Sequence, residues 1–135
     1  MAERSLVIGG NGFLGASLVD ELVSRGHVVS AFDRFSREST LPDGVRTIRG
    51  DFLDPGAVAA AVEGHDHVFH FLSTTTPATA DGDPERDARE NVLPSIHLLE
   101  ACVAAGVNRV HFASTGGAIY GDHGSGPVDE SLRPQ

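Results

Sequence analysis

The sequence predicts an α/β fold, with a doubly wound and mostly parallel sheet of about five strands. Short apolar segments alternate with segments whose apolar residues recur at helical spacing. Strands that alternate with helices are joined by right-handed crossovers, which makes neighbouring strands parallel and covers both faces of the sheet. The chain has 135 residues, enough for one core, and residues 1–135 are predicted to form one domain.

The first half of the chain contains four predicted strands and two predicted helices. Apolar residues at helical spacing, among them Leu14 and Leu18, predict the first helix, and Gly26 is typical of its C-terminal cap. Asp54 and Pro55 are typical of the N-cap and first turn of the second helix. The strands are expected at residues 5–9, 27–32, 45–49 and 66–72, and the helices at residues 12–25 and 54–62.

The second half of the chain contains one long helix and one further strand. Residues 73–83 are rich in Thr, Pro and Asp and are predicted to form a surface loop. Helical spacing covers residues 84–105, and Pro94 inside this range is expected to bend the helix. Residues 107–114 are predicted to form the fifth strand, and residues 115–135 a loop or a truncated segment.

The charged residues exclude several function classes. The formal net charge is -9, and the ten basic residues are all Arg, spread singly along the chain. This distribution argues against a nucleic-acid-binding face, which needs clustered basic residues, and against a membrane-surface patch. Because the chain has no Lys, it cannot supply a Schiff-base amine or a P-loop lysine.

The remaining composition points to a cytoplasmic protein without a metal centre. The single cysteine, Cys102, excludes an internal disulfide, and no apolar run approaches the roughly 20 residues of a membrane span. His65, His67 and His70 cluster around the fourth strand, but His67 and His70 are expected on opposite faces because side chains alternate along a strand. No metal site is therefore predicted.

A glycine-rich turn joins the first strand to the first helix. Gly9, Gly12 and Gly15 lie in the sequence GGNGFLG. In a Rossmann-type fold such glycines allow a tight turn, close approach of a pyrophosphate and close helix–strand packing, and the helix N-terminus favours the anion. The context of strand, turn and helix favours a dinucleotide site. The alternative is a tight strand–helix turn that binds no ligand.

Acidic and basic residues meet at the end of the second strand. Asp33 lies 18 residues after Gly15, where a carboxylate typically binds the hydroxyl groups of the adenosine ribose. A carboxylate there would repel a 2′-phosphate and favours NAD. Arg34 and Arg37 follow at once and leave NADP as an alternative, because guanidinium groups clamp phosphates.

Six motifs in order resemble the extended short-chain dehydrogenases/reductases, in particular their NAD-dependent epimerase/dehydratase group that acts on nucleotide sugars. The motifs cover nearly the whole chain and read GGNGFLG, AFDR, RGDFLD, VFHFLS, ENVLPSIHLLEAC and FASTGGAIYG. The resemblance implies an NAD(P)-binding Rossmann domain, a dinucleotide ligand and, in a full-length relative, a nucleotide-sugar substrate. It also implies that the C-terminal strands and the substrate domain of such relatives lie outside this chain.

The resemblance implies cofactor contacts along the strand ends and at one helix asparagine. Each position also has an ordinary structural alternative: Asp51 as a helix cap, Phe71 as a core residue and Asn91 on a solvated helix face. No catalytic residue is assigned, and Ser114 and Thr115 are only candidates. The implied cofactor-binding residues are Gly9, Gly12, Phe13, Leu14, Gly15, Asp33, Arg34, Asp51, Phe52, Phe71, Leu72, Ser73, Asn91 and Ser114.

The sequence departs from this family in its catalytic residues. The family uses a Tyr and, four residues later, a Lys that lowers the pKa of the tyrosine hydroxyl. Tyr120 is the only tyrosine, position 124 is Gly, and Tyr120 matches a different tyrosine of the family. Gly116 and Ala118 stand where relatives carry a hydroxyl that binds substrate. We therefore expect an NAD-binding portion without catalytic competence.

Other functions and an oligomeric state remain open at this point. One alternative is a stand-alone dinucleotide sensor or interaction module, and another is a remnant that binds no ligand. With the later strands absent, the fifth strand becomes a sheet edge, and exposed edges and apolar patches favour pairing. Self-association is expected through the edge of the fifth strand or through the helix of residues 84–105.

Overall fold

Five parallel strands form the single sheet of the computed structural model, which describes residues 2–122, 124 and 126–134. The strand order is β3-β2-β1-β4-β5, so β1 lies at the centre between β2 and β4. This arrangement confirms the predicted α/β class and the parallel sheet. The strands are β1 (Arg4–Ile8), β2 (Val28–Asp33), β3 (Arg46–Arg49), β4 (His67–His70) and β5 (Arg109–Phe112).

The first two helices begin and end at the residues that their sequence signals indicate. Helix α1 (Phe13–Ser24) is followed by Gly26, whose φ of 82° lies in the left-handed region. Helix α2 (Pro55–Val62) begins after Asp54, whose carboxylate accepts hydrogen bonds from the amides of Gly56 (2.9 Å) and Ala57 (3.3 Å). The predicted N-cap is therefore confirmed.

The long predicted helix is divided into three helical segments. Helix α4 (Pro84–Asp87) continues into a π turn (Ala88–Val92) and then into helix α5 (Leu93–Ala105). A proline ring clashes with the carbonyl four residues earlier, which for Pro94 is that of Glu90, inside the π turn. The helix was predicted to bend at Pro94. The structure instead has its irregularity in the π turn, the five residues directly before α5.

Two predicted loops contain short helices, and both predictions were wrong at these points. Helix α3 (Pro77–Gly82) lies in the predicted loop 73–83, where Thr76 and Thr79 form a reciprocal capping box. Helix α6 (Gly116–Tyr120) lies in the predicted loop 115–135 and ends at Gly121, which has a φ of 64°. Single turns closed by local backbone bonds leave no long periodic pattern. Residues 123, 125 and 135 of that segment lie outside the described residues.

Two apolar layers cover the two faces of the sheet. Side chains of successive residues in a strand point to opposite faces of the sheet. In β1, Leu6 accordingly packs in one layer and Val7 in the other. Helices α2 and α5 cover the first face, and α1 covers the second. Within the part of the chain that the structure describes, β3 and β5 are the sheet edges, as predicted for the fifth strand. No helix in those residues combines the length and the apolar character that crossing a bilayer requires.

Candidate functional site

The glycine turn after β1 packs against the residues that follow β4. Gly9 has a φ of 81° and its amide donates to the carbonyl of Phe32 at 2.9 Å. A Cβ at this position would lie 3.1 Å from backbone atoms of Phe71 and Leu72. Both the left-handed conformation and the close backbone contact therefore require glycine at position 9.

The other glycines of the turn differ in what a side chain would meet. A Cβ at Gly15 would lie 2.0 Å from the carbonyl oxygen of Gly9, and a Cβ at Gly10 would lie 2.6 Å from the Cβ of Ala31. These two glycines let α1 and β2 approach the turn. Gly12 precedes α1 with a φ of -80°, and a Cβ there would lie 3.1 Å from the oxygen of Gly9. Among the glycines of the turn, Gly12 is therefore the one at which an added Cβ would meet the fewest protein atoms.

A cleft of about 390 Å³ lies at the carboxyl ends of the strands. From β1 the chain runs to β2 and β3 on one side of the sheet, whereas β4 and β5 lie on the other side of β1. The cleft opens at this change of direction. In open α/β sheets this switch point is the usual place for a ligand. The cleft brings together nine of the predicted residues: Gly9, Gly12, Asp33, Arg34, Asp51, Phe52, Phe71, Leu72 and Ser73.

The carboxylate of Asp33 holds the turn and the end of β2 together. It accepts hydrogen bonds from the amides of Asn11 at 3.2 Å and Phe35 at 3.1 Å, one on each oxygen. The side-chain amide of Asn11 donates to the carbonyl of Arg37 at 3.2 Å. Each carboxylate oxygen keeps a further lone pair, so the group can still accept hydrogen bonds from a ligand in the cleft.

Three predicted residues at the start of α1 do not line the cleft. Phe13 is 89% exposed and Leu14 is 59% exposed, while Gly15 is buried against the turn. No side chain caps the N-terminus of α1. The first backbone N–H groups of a helix lack partners within the helix, so this uncapped end can bind an anion.

A second cavity, of about 670 Å³, shares Leu72 and Ser73 with the cleft. It is bounded by α5 and the end of β5, where the exposed apolar residues include Ile96, Leu99 and Phe112. The predicted residues Asn91, Ser114 and Thr115 line this cavity. The structure therefore distributes the predicted site over two adjoining spaces.

The side chain of Asn91 joins the π turn to the segment after β4. Its Oδ1 accepts from the amide of Thr74 at 2.9 Å and from the Thr74 hydroxyl at 3.1 Å. Its Nδ2 donates to Thr75 Oγ1 and to Asp87 Oδ1, both at 2.8 Å. The hydroxyl of Thr75 also donates to Asp87, and these two donors hold the pKa of the Asp87 carboxyl below its usual range. Asn91 is thus engaged and half-buried, and the alternative of a solvated helix face was wrong.

His70 is a buried neutral group at the second cavity. Its Nε2 lies 2.9 Å from the hydroxyl oxygen of Ser95, which itself donates to the carbonyl of Asn91 at 2.6 Å. The Leu72 amide donates to Nδ1 at 3.4 Å, so the proton of the neutral ring is on Nε2. Burial lowers the pKa of His70 to about 4. His70 thereby links β4 to α5 beside Asn91.

The remaining residues of interest are the possible metal ligands, the single cysteine and two further residues of the cleft. In the described ranges 2–122, 124 and 126–134 no group of His, Cys, Asp and Glu side chains is arranged to hold a metal ion. Cys102 is buried, and burial raises the pKa of its thiol to about 11. Arg86 and Glu90 also line the cleft. The sequence analysis assigned neither of them to the site, although Glu90 is the first residue of the ENVLPSIHLLEAC motif.

The sheet order, the glycine turn and the carboxylate at the end of β2 define a Rossmann-like α/β protein. The model of the NAD dependent epimerase/dehydratase family matches residues 5–135, and the chain belongs to this family. The predicted resemblance is confirmed.

Two curated relatives are named for different activities. The chain is 43% identical over 112 residues to a 2-alkyl-3-oxoalkanoate reductase of Stenotrophomonas maltophilia, covering 83% of this chain and 33% of that protein. It is 32% identical over 137 residues to a UDP-glucose 4-epimerase of Mycolicibacterium smegmatis, covering 96% of this chain and 44% of that protein. The chain thus spans less than half the length of the relatives it matches.

Solved structures agree with this fold. The structure of the UDP-glucose 4-epimerase of Thermus thermophilus in complex with NAD superposes with a TM-score of 0.82 at 36% identity. The match covers 98% of this chain and 44% of that one. A UDP-glucose 4-epimerase of Thermotoga maritima with UDP-glucose gives a TM-score of 0.80 at 32% identity, over the same shares of the two chains.

Proposed function

We propose that residues 1–135 form an NAD-binding domain and that NAD binds in the cleft between β1, β2 and β4. The observation that carries this proposal is that the glycine turn and Asp33 line one cleft at the switch point of the sheet. The Thermus thermophilus epimerase, which has the same fold, is described as a complex with NAD.

The residues of the cleft fit a dinucleotide from end to end. The free lone pairs of Asp33 accept hydrogen bonds from the ribose hydroxyls, and the side chains of Asp51 and Phe52 lie at the adenine end. The uncapped first turn of α1, with Gly12 before it, receives the pyrophosphate. Phe71, Leu72 and Ser73 lead from the cleft into the second cavity, where Asn91 and Ser114 surround the nicotinamide end. When bound, NAD supplies a hydride acceptor at this end.

The cofactor proposed is NAD rather than NADP. Asp33 places a carboxylate where a 2′-phosphate would lie, and repulsion disfavours that phosphate. Arg34 and Arg37 also line the cleft and compensate for part of this repulsion. Because the amides of Asn11 and Phe35 hold the Asp33 carboxylate in place, it cannot easily turn away from such a phosphate.

The 135-residue chain is proposed to bind the cofactor without performing the family's chemistry. Proton transfer by a tyrosine needs a group that lowers the pKa of its hydroxyl, and this chain contains no Lys. Tyr120, its single tyrosine, is half-buried in α6. The chain is therefore the cofactor portion of an enzyme rather than a complete catalyst.

The substrate class of that enzyme is proposed to be a nucleotide sugar. The matched UDP-glucose 4-epimerases support this class. A ketone-reducing enzyme of the same family is a second candidate, favoured by the 43% identity to the oxoalkanoate reductase. The apolar wall of the second cavity, formed by Ile96, Leu99 and Phe112, also suits an alkyl substrate.

Self-association is proposed through the edge of β5 or through α5. Val103 is 83% exposed, and Ile96, Leu99 and Phe112 are also exposed apolar residues on these two elements. We expect wild type to form dimers in light scattering at high concentration, and Val103→Glu to lower the mass toward a monomer. A monodisperse wild-type monomer at high concentration would contradict this proposal.

Isothermal titration calorimetry with NAD and NADP tests the proposed cofactor. Wild type is expected to bind NAD, with weaker binding of NADP. The variant Gly12→Ala adds a Cβ at a cleft-lining residue whose φ is not strained, 3.1 Å from the Gly9 oxygen, and is expected to weaken NAD binding while the fold is retained. Absence of heat with both dinucleotides at millimolar concentration would refute the proposed function.

A further inference from the structure

Arg86 is the one cation lining the cleft, among the described residues, that does not come from residues 33–37. Arg34 and Arg37 follow β2 and lie with Asp33 at the ribose end. Arg86 lies on α4, which continues through the π turn into α5. Arg86 and the glycine turn therefore come from separate parts of the chain, and both line the cleft.

Glu90 pairs with Arg86 in the structure. The guanidinium Nε donates to Glu90 Oε1 at 2.9 Å, and both residues line the cleft. The Arg86 side chain is 57% exposed and that of Glu90 is 24% exposed, so the guanidinium lies largely in solvent while the carboxylate is partly covered. Because its guanidinium end is largely in solvent, Arg86 can turn to another anion that offers more oxygen acceptors.

We propose that Arg86 is a pyrophosphate ligand that exchanges Glu90 for the diphosphate of the bound dinucleotide. The proposal rests on the proposed NAD site and adds a residue from α4 to it. A planar guanidinium matches two phosphate oxygens at once, whereas the N-terminus of α1 offers only neutral N–H groups. Arg86 thus supplies the positive charge that the glycine turn lacks.

Glu90 acts as the competing anion in this exchange. Its carboxylate engages Arg86 and also adds a negative charge to the cleft wall. Removal of that charge frees the guanidinium and removes repulsion of the phosphates. The two members of one ion pair therefore have opposite effects on dinucleotide affinity.

The same helical segment provides a matched control pair. Arg89 and Glu85 form a second ion pair with the same sequence spacing and the same distance of 2.9 Å. Neither residue lines the cleft. Substitutions in this pair change the net charge of the segment as the test substitutions do, but leave the cleft wall intact.

The test is calorimetry of NAD binding to the whole chain and to its variants. We expect Arg86→Gln to weaken binding about tenfold and Glu90→Gln to tighten it about threefold. Arg89→Gln and Glu85→Gln are expected to stay within about twofold of wild type. The affinity of Arg86→Gln should also depend less steeply on salt than that of wild type, because one charged contact is lost. Arg86→Lys retains a positive charge and should recover part of the affinity.

The outcomes separate this inference from the proposed function. If wild type binds NAD and Arg86→Gln binds it as tightly as Arg89→Gln does, the assignment of Arg86 is wrong and the NAD site stands. Weaker binding by Glu90→Gln would also overturn the exchange. If wild type binds no NAD at all, both proposals fall. Equal melting temperatures of the variants verify that folding is not the cause of any difference.

Discussion

Gly15→Ala tests the packing of α1 against the glycine turn, because two effects of opposite sign compete. Gly15 lies in the first turn of α1, where replacing Gly by Ala normally stabilises a helix by about 1 kcal/mol. In this structure the added Cβ would lie 2.0 Å from the Gly9 oxygen and 2.8 Å from the Gly9 carbonyl carbon. These are backbone atoms, so they cannot turn aside as a flexible side chain would.

The steric cost is expected to exceed the gain in helix propensity. Cβ atoms essentially never approach other heavy atoms within 3.0 Å, so the turn and α1 must separate by at least the 1.0 Å between 3.0 and 2.0 Å. Forced overpacking of this kind costs about 3 kcal/mol at the upper end of its usual range. The net destabilisation is therefore about 2 kcal/mol, which for a domain of this size lowers Tm by roughly 6–10 °C.

Thermal unfolding followed by circular dichroism measures this effect. Gly82→Ala is the matched control, since Gly82 lies in α3 and a Cβ there meets no atom within 4 Å. That control should melt at or slightly above the wild-type temperature. A Gly15→Ala variant that is as stable as wild type, or more stable, would refute the described approach of α1 to the turn.

Three further tests concern a capping residue, a buried residue and a cleft residue. Asp54→Ala removes two hydrogen bonds at the start of α2 and should lower the free energy of unfolding by about 1 kcal/mol in urea titration; an unchanged value would contradict the cap. The pKa of His70 is lowered from 6.5 to about 4 in the fold, so the unfolded chain binds the proton more readily and stability is lost as pH falls. The His70 contribution to the free energy of unfolding should thus fall by about 2 kcal/mol from about pH 7.5 to about pH 5, and NMR titration that finds its imidazole protonating near its ordinary pKa would contradict this. Asp33→Ser should weaken NAD about tenfold in calorimetry without weakening NADP; an unchanged preference for NAD would show that Asp33 does not select the cofactor.

Much of the sheet is predictable because its signals are local. The short apolar segments correspond to the five strands, with ends displaced by up to two residues. Gly26 and Asp54 mark helix ends through backbone conformation and capping, which depend on a few adjacent residues. The fold class follows from the order of these elements, and the structure confirms it.

The helical details after β4 depend on contacts that the sequence pattern does not show. Helix α3 carries a usable signal, because Thr76 precedes Pro77 and is paired with Thr79. The π turn has a partial signal in Pro94, but the hydrogen bonds of Asn91 to Thr74 and Thr75 are not evident from the sequence. Arg86 lies in α4 and Glu90 in the π turn, and no sequence spacing placed either of them at the cleft.

The site residues show the same division. Gly9 and Asp33 are found by spacing because they lie on consecutive elements of one strand–helix–strand unit. Phe13 and Leu14 share the glycine motif, but their exposed side chains do not line the cleft. Their place in the motif reflects the backbone N–H groups they contribute, and contact by their side chains is not expected.

Amide NMR spectra of the labelled chain during addition of NAD test the central proposal most directly. We predict shifts concentrated at Gly9, Gly12 and Phe13 in the turn, at Asp33, and at Ser73, because these amides surround the cleft or form the uncapped end of α1. Little change is predicted for Val103 on the exposed side of α5. Spectra that do not change at millimolar NAD, or that change at α5 and not at the glycine turn, would contradict the proposed NAD site.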